Sequence, residues 1–143
     1  MQFQMFEDYV RQHGLNADVV PKSQTSDYES GVVTMEGANW HIRTARNTPT
    51  KPGAFVAFWR RDKSGETAPF NADEVAAGLM VFVASNQQRG VFRFTAEHLE
   101  ELGVTRGKHA GKRGFRVYPA WSTDLNPQAA ATQRAQMAAF SQF

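Results

Sequence analysis

Ten of the sixteen Lys and Arg residues stand in two stretches that contain no Asp or Glu. Between Glu36 and Asp62 lie Arg43, Arg46, Lys51, Arg60 and Arg61; between Glu101 and Asp124 lie Arg106, Lys108, Lys112, Arg113 and Arg116. Guanidinium and ammonium groups without local carboxylates suit phosphate oxygens, which accept short charge-assisted hydrogen bonds from them. The structural alternative is a solvated surface, or ion pairs to Glu29 or Glu36. A net charge of +2 is too small to mark a polyanion binder by itself, so the distribution of charge matters more than its sum.

The segment Gly111 to Trp121 is the richest in usable chemistry. In an extended conformation, period two puts Lys112, Arg116 and Tyr118 on one face and Arg113, Phe115 and Val117 on the other. Such a row can follow a phosphate backbone while Tyr118 stacks on a base or donates to a phosphate oxygen. A sheet edge with Tyr118 buried and the charges solvated is the competing arrangement. Arg43, Arg46, Lys51 and the Arg60-Arg61 pair would add phosphate contacts if their faces coincide.

Other chemistries find little support. The four His, at 13, 41, 98 and 109, have no HxH or HExxH spacing, and no Cys is present to complete a zinc site or form a disulfide. None of the fourteen acids is followed two positions on by Lys or Arg, so the Asp/Glu-x-Lys pattern of two-metal nucleases is missing. Glu29 is the acid best placed for such a role, and Asp62, Asp73 or Glu74 would have to converge with it in space. No GxSxG, GxxxxGK[ST] or GxGxxG occurs, and Ser30, Ser64 and Ser85 read as turn residues. No metal and no cofactor is expected.

The elements that must position these residues follow from periodicity. Phe3, Phe6 and Val10 share a helical face over residues 3–13, with Gly14 as C-terminal cap; residues 16–28 read as a connector. A short strand near Gly31 to Met35 precedes an alternating, half-buried strand from Trp40 to Arg46. The run Ala54 to Trp59 is apolar on both faces and predicts a central strand, joined to its predecessor as a hairpin through the stiff loop Thr48 to Gly53. Leu79 to Ala84 and Val91 to Phe94 predict a second hairpin across Ser85 to Gly90. Thr95 is placed to cap a short helix ending at Gly103, and Asn126-Pro127 opens an Ala-rich helix running to Phe140.

Composition fits one domain over residues 1–143, since a chain this long encloses an ordinary core, and 41% apolar residues with eleven Phe exclude a disordered chain. No window approaches eighteen consecutive apolar residues, and Met1 to Gln4 lacks a signal-peptide pattern; a cytoplasmic protein without membrane contact is expected. The fold class is α+β, a central mixed or antiparallel sheet of about five to six strands flanked by helices.

Arg43 to Val56, Trp59-Arg60-Arg61, Gly90 to Phe94, Gly111 to Trp121 and Ala131-Thr132-Gln133, in that order, resemble the MepB-like family, and the likeness runs from about Glu29 to Phe140. The resemblance implies a fold similar to restriction endonucleases and binding of nucleic acid. By motif it carries over Arg43, Lys51, Arg61, Lys112, Arg113 and Arg116 as contact residues, with Thr132 and Gln133 as polar helpers on the last helix. Arg46 stands where the family leads one to expect Lys, and Ala135 where it leads one to expect Trp. The expectation is a DNA- or RNA-binding protein that reads backbone charge and does not catalyse. A divalent-metal nuclease and a small-anion-binding pocket beside Trp59 and Trp121 are the alternatives.

Overall fold

The computed structural model describes residues 3–15, 17–21 and 30–143. Helix α1 (Gln4–Gln12) is followed by strands β1 (Val19–Pro21), β2 (Gly31–Met35), β3 (Ala38–Thr44), β4 (Arg46–Asn47), β5 (Ala54–Ala57), β6 (Arg60–Arg61) and β7 (Thr67–Ala68). Then come β8 (Gly78–Ser85), β9 (Gln88–Thr95), α2 (Ala96–Glu101), β10 (Gly114–Val117), α3 (Pro127–Gln136) and β11 (Phe140–Gln142). Apart from Val19–Pro21, most of the 16–28 connector lies outside the described residues, as does Glu29.

The main sheet has six strands in the order β1-β2-β3-β8-β9-β11, mixed because β3 and β8 run parallel while the other neighbours are antiparallel. A second sheet, β10-β5-β4, covers one face of it, and α1 covers the other. Alternation along β8 explains both layers. Leu79, Val81 and Val83 point into the core shared with Val56, Phe115 and Val117, whereas Met80 and Phe82 meet Phe6 and Tyr9 of α1. The chain is a single small α+β domain, and no helix among the described residues is long and apolar enough to cross a membrane.

Local cap signals act as the sequence predicts. Gly14 takes φ 64°, and Leu15 and Gly14 donate to the carbonyls of Val10 and Arg11, a Schellman closure of α1. Gly103 and Val104 close α2 in the same manner on Glu100 and Leu99. Thr95 Oγ1 accepts from the His98 amide at 3.1 Å, and Asn126 Oδ1 accepts from that of Ala129 at 2.8 Å with Pro127 at the first helical position.

Two strand expectations exchange places. The Trp40 strand is buried on both faces because α1 covers Trp40 and Ile42 while Phe58 and its layer cover His41 and Arg43, whereas Ala54–Ala57 is half-buried in the outer sheet. The predicted hairpin between them is reduced to the Arg46↔Phe55 and Asn47↔Ala54 pairs, since β3 takes its partners from the main sheet. The β8–β9 hairpin is longer than predicted, with only Asn86 and Gln87 as its turn. The last helix stops at Gln136, and Phe140 begins a strand paired with β9 instead of ending the helix.

Candidate nucleic-acid interface

Strands β4, β5 and β10 bring parts of the two acid-free stretches into one sheet. Phe115 and Val117 lie opposite Val56 and Ala54 and face inward, where all four are buried. The alternate residues face outward. Arg116 lies opposite Phe55, and Phe55 lies opposite Arg46, so two guanidinium-bearing residues flank one aromatic along a single cross-strand row. Both nitrogens of the Arg116 fork donate to the Thr48 hydroxyl, Nη1 at 3.1 Å, and Thr48 in turn donates to the Lys51 carbonyl at 3.2 Å. The Lys51 loop is thereby tied to β10, and Lys51 itself is exposed.

Beside this row a cavity of about 630 Å³ opens between β10, the end of α2 and α3. Lys112, Arg116 and Tyr118 line one side, Glu101 lies at the α2 end, and Gln128, Thr132 and Ala135 project from α3. The helix is fastened to the strand by Gln136, 1% exposed, whose Oε1 accepts the Tyr118 amide at 2.9 Å and whose Nε2 donates to the Arg116 carbonyl at 2.8 Å. That amide supplies the pairing a further strand would give to the edge of β10. His98 Nε2 to the Ala135 carbonyl, 2.8 Å, braces α3 against α2. The loop entering β10 is held by Lys112 N to Val104 O, 2.8 Å, and Lys108 N to the Glu100 carboxylate, 3.0 Å.

The structure gathers some of the expected contact residues and withdraws others. Arg46, Lys51, Lys112 and Arg113 are exposed, and Arg116 is half-buried; Lys112, Arg116, Tyr118 and Thr132 share the cavity wall. Arg43 is 4% exposed, beneath the outer sheet, where its guanidinium lies 5.2 Å from the Phe58 ring centre and donates to the Ile42 carbonyl at 2.8 Å. It is removed from any phosphate because odd positions of β3 face the inter-sheet core. Burial there pulls its pKa down to about 10. Arg60 pairs with Glu74 at 2.6 Å, tying β6 to the turn at 72–74, and Arg61 packs over Trp59 while donating to the Gly65 carbonyl at 2.8 Å within the β6–β7 hairpin. Arg113 Nε donates to the Thr67 carbonyl at 3.2 Å. Tyr118 is 9% exposed, and Gln133 spends its amide on the carbonyls of Pro119 at 2.9 Å and Ser122 at 3.3 Å, holding the loop before α3.

Two basic residues outside the two stretches have structural duties: Arg89 pairs with Asp8 at 2.7 Å and Arg93 lies 5.0 Å from the Trp40 ring centre. Asp62 is closed on its own turn by the Ser64 hydroxyl and the Ser64 and Glu66 amides, which hold its carboxyl below the usual range. Glu74 accepts the Asn71 amide at 2.6 Å besides pairing with Arg60. Among the described residues no three His, Asp or Glu side chains converge as a metal site would require. Glu101, Asn126, Gln128 and Gln136 also line the cavity, and only Gln128 and Gln136 carry a sequence signal, as uncharged polar residues on an otherwise Ala-rich helix.

Comparison with known proteins returns two findings. The MepB-like family profile matches residues 22–142. A crystal structure of MepB is similar at a TM-score of 0.86 and 30% sequence identity, covering 99% of this chain and 97% of that one. No curated protein matches the chain.

Proposed function

The chain belongs to the MepB-like family, and from the cations that its fold gathers we propose that it binds DNA or RNA in the cytoplasm by the phosphate backbone, without cutting it. Arg46, Lys51, Lys112, Arg113 and Arg116 are the contact residues. The observation that carries this reading is the register of the outer sheet, which sets Arg46 and Arg116 on one face from segments far apart in the chain. The restriction-endonuclease-like relation belongs to the same proposal: a mixed sheet flanked by helices is compatible with it, and such a fold without metal carboxylates can still present a groove to nucleic acid.

Fluorescence anisotropy with single- and double-stranded DNA and RNA tests the reading. Logarithm of affinity should fall linearly with logarithm of salt, with a slope of about −4.5 on duplex DNA if these five cations each neutralise one phosphate. Absence of binding to all four at low salt would overturn it. Loss of intact labelled substrate on incubation with Mg²⁺ or Mn²⁺ would replace it with a nuclease.

A further inference from the structure

We propose that the cavity between β10 and α3 is a subsite for a nucleoside phosphomonoester, its phosphate held by Lys112 and Arg116 and its base lodged toward Tyr118 and Glu101. The inference rests on the nucleic-acid reading of the same two cations and specifies what the cavity adds to an open charged face.

The cavity volume of about 630 Å³ lies within the range of small-ligand sites, which run from about 300 to 1,000 Å³. A monoester phosphate carries about −1.5 to −2 charges near neutral pH, where an internal phosphodiester carries a single charge. Two cationic residues lining one small space match the dianion better, and neither Lys112 nor Arg116 is ion-paired among the described residues. Arg116 is half-buried with the Thr48 hydroxyl as its partner, so it is held in place without being neutralised. The Glu101 carboxylate on the same wall would repel a bare anion. It accepts hydrogen bonds from the amino or imino edge of a base, and Tyr118 supplies an aromatic neighbour. A ligand with a dianion at one end and a donor-bearing ring at the other satisfies all four residues.

The chemistry has two sources, a free mononucleotide and the phosphorylated end of a strand that lies across the outer sheet. Calorimetry with AMP, GMP, CMP and inorganic phosphate reads the first. Competition between 5′-phosphorylated and 5′-hydroxyl oligonucleotides of one sequence reads the second. Ala131 and Ala135 are exposed residues on the cavity wall, so Ala131→Trp and Ala135→Trp fill the space without entering the core. Saturable one-to-one mononucleotide binding, or a preference of roughly tenfold or more for the phosphorylated end, is expected, lost in either Trp variant that melts like the parent. Arg116→Gln with Lys112→Gln should remove the same preference if both Trp variants fail to fold. Equal affinity for the two oligonucleotides with no mononucleotide binding overturns the subsite, and salt-dependent binding of both then leaves the nucleic-acid reading in place. Inorganic phosphate matching the nucleotides overturns the base contact and with it the proposal. Mononucleotide binding by a protein that ignores every oligonucleotide keeps the subsite and overturns the wider reading.

Discussion

Arg43 illustrates how a side chain of the right type can be committed elsewhere. The strand alternation that placed it beside His41 and Ala45 was legible in the sequence, but which face the core would occupy depended on a second sheet that local periodicity does not encode. With no carboxylate partner among the described residues, its charge is a desolvation cost that one hydrogen bond and one aromatic face only partly offset. Arg43→Met should therefore leave stability within about 1 kcal/mol of the parent or raise it, measured by urea unfolding. Because burial lowers the folded-state pKa to about 10 while the unfolded chain keeps the ordinary value, the unfolded state binds the extra proton in between. The parent should gain on Arg43→Met as pH rises past about 10, and a constant gap would contradict this. Gln136 is the opposite case. Gln136→Leu leaves the buried Tyr118 amide and the part-buried Arg116 carbonyl without partners and should cost about 2–4 kcal/mol in the same measurement.

At the scale of elements, the features read correctly are those whose cause lies within a few residues. Gly14, Thr95 and Asn126-Pro127 set helix ends through their own φ angles and side-chain acceptors. Strand burial depends on the layers above and below, which periodicity does not encode: β3 lies between α1 and the outer sheet, whereas β5 belongs to that outer sheet and is only half-buried. The outer sheet is also sensitive to one backbone position. Gly53 has φ 76°, and a Cβ there would stand 2.7 Å from both the Val117 carbonyl oxygen and the Tyr118 ring. Gly53→Ala combines left-handed strain with that clash, so a loss of about 2 kcal/mol or more is expected in thermal unfolding, together with weaker nucleic-acid binding as the Lys51 loop leaves β10. A variant that melts like the parent would show that the loop can move without cost.

For the whole molecule, the sequence carried the charge asymmetry and the fold class, and left unstated which cations would share a face. Arg46 and Arg116 meet only through the register of β4, β5 and β10, whereas Arg60 and Arg61 turn into a hairpin of their own. Arg46→Glu with Arg116→Glu should weaken binding of unrelated sequences by similar factors, because phosphates carry no base identity; a loss confined to one sequence, seen by anisotropy across a panel, would point to base reading. The parallel pairing of Trp40 with Gly78 spans everything from β4 to β7. Until β8 is in place β3 has one edge unpaired, whereas the β8–β9 hairpin closes through neighbouring residues alone. Completion of the six-stranded sheet therefore depends on one long-range closure, whereas the β2–β3 and β8–β9 pairs join neighbours in the chain.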